Sequence, residues 1–148
     1  MPSREPFRAV WISDVHLGSR ACRIGLLLDF LQELRCEQLY LVGDLIDLES
    51  MRHSFYWPGS HTAALQRLLQ MSRDGTRITY IPGNHDDDFR ALAGARLAGI
   101  EIALRAVHTT RAGRRLLVMH GDELDARLAC RPLARVAGAL GYWALLRL

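Results

Sequence analysis

The sequence predicts an α/β fold built on a mainly parallel sheet. Three observations carry that expectation. Short apolar runs recur near residues 13, 42 and 81, stretches of helical periodicity lie between them, and each run hands over to glycine, proline or acidic residues. Strands that alternate with amphipathic helices argue for βαβ units, which lay their strands parallel.

Residues 8–13 form an apolar, partly β-branched run that reads as a buried strand. From Ile24 the apolar residues fall at Leu27, Leu28, Leu31 and Leu34, the spacing of one helix face. Residues 38–42 read as a second buried strand, closed by Gly43 and Asp44. A polar and aromatic stretch over 49–60 leads into a helix carrying Leu65, Leu68 and Leu69. Residues 77–81 read as a third strand, stopped by Pro82 and Gly83. Past residue 99, the runs 100–110 and 114–119 read as a hairpin around Arg111, Ala112 and Gly113. A last helical stretch is expected from Glu123, with a break near Pro132. No repeat or linker divides the chain, so residues 1–148 are expected to form a single domain.

At 49% hydrophobic residues, the chain can bury a core. All 19 basic residues are arginine. Their planar forks suit phosphate, although a compositional bias of the source genome gives the same count. The net charge of +3 suits an anionic substrate or an acidic membrane surface. No arginine-rich run with interleaved aromatics appears, so no nucleic-acid partner is expected. Cys22, Cys36 and Cys130 are odd in number and widely spaced, which points to a reducing compartment and a cytoplasmic location. The N-terminus shows no secretory pattern, and the apolar run near the C-terminus, broken by Arg135 and Arg147, is too short to span a bilayer.

The residues that carry chemistry share one expected location. Asp14 and His16 follow the first strand, Asp44 and Asp47 the second, residues 84–88 the third, and His120 the last. In open α/β sheets, ligands bind just beyond the carboxyl ends of the strands. Asp14 and His16, at i and i+2, can both point into a site from an extended strand end. Gly43 and Gly83 permit sharp turns where a bulkier residue would crowd bound ions. Carboxylate, imidazole and amide donors suit manganese, iron, zinc or magnesium, and the absence of thiolates argues against a structural zinc site. Each piece also has a plain explanation: Asp14 as a helix cap beside a surface histidine, Asp47 as a cap, His120 as a satisfied polar group. Those explanations would have to coincide at four strand ends in order.

Taken together, Asp14-x-His16, Gly43-Asp44-x-x-Asp47, Gly83-Asn84-His85-Asp86 and His120 resemble the signature of calcineurin-like metallophosphoesterases. The resemblance implies a β-sandwich flanked by helices and a site for two divalent ions, manganese foremost. It assigns Asp14 and His16 to one metal, Asp44 to a bridge between the two, and Asn84 and His120 to the other. His85 is then no ligand. It protonates the leaving group or steadies a phosphoryl oxygen, Asn84 and His85 meet the substrate, and Asp47 or Asp86 orients His85. Residues 13–18, 40–44, 56–58, 80–85 and 118–122 look most like the branch related to UDP-2,3-diacylglucosamine diphosphatases of lipid A synthesis. The implied substrate is a phosphate-containing small molecule or nucleotide-lipid. Tyr56, Trp57 and Pro58 could form a packed loop or a substrate wall.

One element of the family pattern, Gly-His-x-His, does not occur in this sequence. Two ligands are therefore expected to be missing, and only the N-terminal part of the sandwich to be present. The apolar tail at Ala134, Val136, Leu140, Tyr142, Trp143, Leu145 and Leu146 is expected to be an aggregation hazard, a dimer surface or an interfacial helix touching the inner membrane. The alternative expectation is a catalytically impaired fragment that serves as a binding module.

Overall fold

The structure is a computed structural model, and it describes residues 5–124. Five strands form the main sheet in the order β1 (Phe7–Ser13), β2 (Cys36–Val42), β3 (Arg77–Ile81), β5 (Ile100–Ile102) and β4 (Arg96–Leu97). β1, β2, β3 and β5 run parallel, and β4 folds back antiparallel on β5. Helix α1 (Ile24–Glu33) joins β1 to β2, while α2 (Leu48–His53) and α3 (Gly59–Arg73) join β2 to β3. The expected βαβ architecture is therefore present.

α1 and α3 cover one face of the sheet. Leu31 and Leu34 from the first helical segment, and Ala64, Leu68 and Met71 from α3, bury against Leu39, Leu41, Ile78 and Tyr80. Leu26 and Phe30 lie off that stripe and stay exposed. α3 ends in a Schellman closure, in which Thr76 donates to the Met71 carbonyl (3.0 Å) and Gly75, at φ +100°, donates to Ser72 (3.2 Å). On the other face lies an antiparallel hairpin of β6 (Ala106–Thr109) and β7 (Arg115–Val118). Val118 packs there on Tyr40 and Ile81, with Ala9, Val42 and Ala106 around them. The molecule is thus layered as helices, sheet and hairpin, and the hairpin stands where the resemblance implies the second sheet of a sandwich.

Three local expectations need correction. Among the described residues β1 stands at the edge of the sheet rather than buried, and Trp11 remains 44% exposed. The stretch 49–60 contains most of α2, because Asp47 accepts hydrogen bonds from Ser50 and caps that short helix. The run 100–110 is not one strand: it leaves the main sheet after Ile102 and re-enters as β6 of the hairpin. The helix expected from Glu123 is helical at Glu123 and Leu124, the last described residues; its remainder, the apolar tail and Cys130 lie outside the described residues. Among the described residues, no helix is long and apolar enough to cross a membrane.

Candidate metal centre

The loops after β1 and β2 keep bonding to each other beyond the strands. His16 donates to the Asp44 carbonyl (2.8 Å), Leu17 to Leu45 (2.9 Å), and Asp47 back to Leu17 (2.7 Å). This zipped pair of loops holds Asp14, His16 and Asp44 at φ of 54°, 55° and 53°. Left-handed backbone is costly for non-glycine residues and persists where surrounding structure enforces it, most often at functional sites. Among the described residues only Ala98 shares this conformation outside glycine. The extended strand end expected for Asp14 and His16 is therefore replaced by two left-handed kinks, and the two side chains fall in different groups of convergent donors.

Asp44 lies at the centre. One oxygen of its buried carboxylate, Oδ2, is 3.7 Å from His16 Nε2 and 3.8 Å from His120 Nε2. His120 Nε2 is also 4.0 Å from Asp14 Oδ1. Asp14, Asp44 and His120 form one group of convergent donors, and His16, Asp47 and His85 a second beside it. Asn84 is solvent-exposed, between buried Gly83 and half-buried His85.

Asp47 serves both roles that the sequence left open. Its Oδ1 lies 3.0 Å from His85 Nδ1, its Oδ2 lies 3.3 Å from His16 Nδ1, and Ser50 donates to both oxygens (2.8 Å each). Burial disfavours the Asp47 charge, but the Ser50 and His85 contacts outweigh it and hold the carboxyl below its ordinary range. An ionised carboxylate only accepts, so His85 Nδ1 is the donor and the proton it carries is fixed on that side. Burial likewise works against charge on His85, yet the Asp47 hydrogen bond and the charges of Asp44, Asp47 and Glu49 raise its affinity for a proton.

Asp86 does not touch His85. It is fully buried and accepts from Tyr80 Oη (2.5 Å), Gly83 N (2.6 Å), Ile46 N (3.1 Å) and Asp44 N (3.3 Å). Its work is to tie the loop after β3 to the loop that carries Asp44. Burial and the Asp86 carboxylate together push the Tyr80 hydroxyl far above its usual titration range, so it stays a donor. Two further participants were not singled out from the sequence. Asp122 faces His120 Nδ1 at 3.3 Å and is gripped by Arg90 (2.5 Å), and Glu49 stands 3.5 Å from His85 Nδ1. Burial disfavours the Asp122 charge, but Arg90 and His120 keep its carboxyl below the ordinary range. The tripeptide His120-Gly121-Asp122 was the available signal.

Three features bear on whether this donor set suits metal ions. Asp44, Asp47 and Asp86 are buried together, a cost that a bound cation offsets. His120 Nδ1 is buried and has no hydrogen-bond partner among the described residues, since the Asp122 approach misses hydrogen-bond geometry. A Cβ on Gly43 would strike the His120 ring, and one on Gly83 would strike both the Asp44 carboxylate and that ring. The two glycines keep the space among these donors clear, as expected, although what they first avoid crowding is the side chains themselves. The donor set fits divalent ions.

The chain matches the family model of calcineurin-like phosphoesterases over residues 7–133. It belongs to the calcineurin-like phosphoesterase family. It is 31% identical over 129 residues to a UDP-2,3-diacylglucosamine hydrolase of Histophilus somni (strain 129Pt), covering 79% of this chain and 50% of that protein. It is 26% identical over 118 residues to a UDP-2,3-diacylglucosamine hydrolase of Porphyromonas gingivalis (strain ATCC BAA-308 / W83), covering 75% of this chain and 44% of that one. The chain spans about half the length of these relatives. Among solved structures it is similar to Pseudomonas putida nuclease MPE, at 25% identity and a TM-score of 0.39 over 65% of this chain and 47% of that chain.

Proposed function

We propose that the protein hydrolyses phosphoester or pyrophosphate bonds with a pair of divalent ions, manganese foremost, and that its substrate resembles UDP-2,3-diacylglucosamine. One observation supports this most: a single buried Asp44 oxygen stands between His16 Nε2 and His120 Nε2, at 3.7 and 3.8 Å, as a shared ligand would. By the family resemblance Asp14 and His16 would hold one ion and Asn84 and His120 the other, with Asp44 common to both, although the donors themselves group Asp14 with Asp44 and His120, and His16 with Asp47 and His85. Bound there, the ions would polarise phosphoryl oxygens and make a water molecule nucleophilic at neutral pH.

The chain's own residues supply the rest. Asp47 keeps the His85 ring in place by accepting a 3.0 Å hydrogen bond from its Nδ1–H, which leaves Nε2 to act on the substrate. A protonated His85 gives the Nε2 proton to the departing oxygen as the phosphorus–oxygen bond breaks. Asn84, exposed to solvent, is placed to meet an incoming phosphate. Asp86 holds the Asp44 backbone so that its carboxylate keeps its aim. A cavity of about 700 Å³ opens from His16 and His85 towards Leu26, Leu27 and Phe30, so a phosphate at the donors would have an apolar wall beside it. That pairing suits the relatives' nucleotide-lipid better than a simple sugar phosphate.

The test is hydrolysis of bis-p-nitrophenyl phosphate and of UDP-2,3-diacylglucosamine by purified protein with and without manganese. Manganese-dependent release of product, abolished in Asp44→Asn, is expected. Equal rates for wild type and Asp44→Asn would refute the proposal.

A further inference from the structure

A second charged groove lies on the hairpin face of the sheet, running from the amino ends of β2 and β3 to the β5–β4 edge. Parallel pairing sets Gln38 beside Arg77, Tyr40 beside Thr79, and Thr79 beside Glu101, while the antiparallel β4 sets Arg96 beside Glu101. With side chains alternating along each strand, this row shares one face. One step further along the same strands, Val42 and Ile81 continue that face as apolar residues under the hairpin. The sheet face therefore changes character along its length, from a packed apolar half to an open polar half.

The polar half is lined by Arg77, Arg96 and Arg105 around a cavity of about 340 Å³. These residues are far apart in sequence and come from β3, β4 and the segment before β6. The neutral groups of the floor already have partners: Gln38 donates to Thr79 Oγ1 (3.2 Å) and the Tyr40 hydroxyl pairs with His108 Nδ1 (3.2 Å). The guanidiniums do not. Among the described residues, arginine ion pairs are Arg52 with Asp88 and Arg90 with Asp122. Three arginines thus face the groove against the single carboxylate of Glu101, a surplus of two positive charges.

We propose that this groove binds a small phosphate-bearing anion. Guanidinium forks match phosphate oxygens in pairs, and a multiply charged anion gains enough from three of them to outweigh repulsion by Glu101. A singly charged anion would not. The volume suits a pyrophosphate or a compact phosphorylated metabolite and is too small for a folded polymer. The site stands apart from the hydrolytic centre and does not depend on it.

The experiment is calorimetric titration of inorganic pyrophosphate into the full chain, into Asp44→Asn and into Arg77→Gln/Arg96→Gln, with no divalent ion added. Saturable binding is expected in the first two and at least about tenfold weaker binding in the third, in line with the loss of two charge-assisted contacts. Glu101→Gln should tighten binding, a gain that misfolding cannot imitate. Absence of binding, or loss in Asp44→Asn with retention in the double variant, would overturn the site. Sedimentation with phosphatidylglycerol vesicles without pyrophosphate binding would also overturn it, in favour of a lipid surface. Manganese-dependent hydrolysis measured on the same double variant reads the catalytic proposal separately, and it is expected to be unchanged.

Discussion

The two ends of the same sheet face opposite electrostatic problems. At the carboxyl ends, Asp44, Asp47 and Asp86 are buried together, the backbone is kinked into left-handed conformations, and the space between donors is kept open by Gly43 and Gly83. From the amino ends of β2 and β3 to the β5–β4 edge, Arg77, Arg96 and Arg105 surround an open groove whose floor is already hydrogen-bonded. The first region concentrates negative charge in a low-dielectric pocket and strains the chain to do so. The second leaves positive charge on flexible side chains in solvent. Strain and burial, rather than charge density alone, mark the end built for chemistry.

Substitutions at the carboxyl ends should therefore cost more than any at the amino ends. Gly83→Ala drives a methyl group into the Asp44 carboxylate and the His120 ring, and is expected to weaken manganese affinity on the order of 100-fold, measured by calorimetry. An affinity equal to wild type would show that the donors are free to move apart. Asp86→Asn puts an amide donor against backbone N–H groups and a tyrosine hydroxyl, and should cost about 1–3 kcal/mol of stability in urea unfolding. Tyr80→Phe should cost less, because the three backbone donors to Asp86 remain.

Asp47→Asn should lower kcat by about tenfold through a misoriented His85. The loss should be larger for phenyl phosphates with poor leaving groups than for p-nitrophenyl esters, whose leaving oxygen needs little protonation. A uniform loss across leaving groups would assign Asp47 a structural role only. The smallest effect is expected at His61, which is buried and accepts from Gly18 N through Nδ1 (3.0 Å). Burial lowers its folded pKa below the ordinary value of about 6.5. Its contribution is then fully present above that ordinary value and is lost as pH falls below it, because the unfolded chain takes up the proton first. Thermal unfolding of His61→Gln should depend less steeply on pH between about 7 and 5 than that of wild type.

Much of this was legible in the sequence, for identifiable reasons. Strand positions followed from apolar runs, and Asp14, His16, Asp44, Asn84, His85 and His120 each follow a strand end, which Gly43 and Pro82-Gly83 punctuate at the second and third strands. Local pattern cannot report what depends on packing. β1 is as apolar as β2, so its place at the sheet edge was invisible. The run 100–110 changes sheets at Ala103, where no breaker residue stands. Asp86 and Asp47 were equal candidates to hold His85, and only the fold separates the one that touches the ring from the one that ties down two loops. The arginine groove joins residues from three separate segments, and no run of sequence contains it.

The central claim is that Asp44 anchors a site for two divalent ions. Calorimetric titration of manganese into protein stripped with chelator tests it directly. Saturable binding of two ions per chain is expected, with loss of both in Asp44→Asn and urea unfolding showing that the variant remains folded. Absence of manganese binding to the wild-type chain, or undiminished binding to Asp44→Asn, would contradict it.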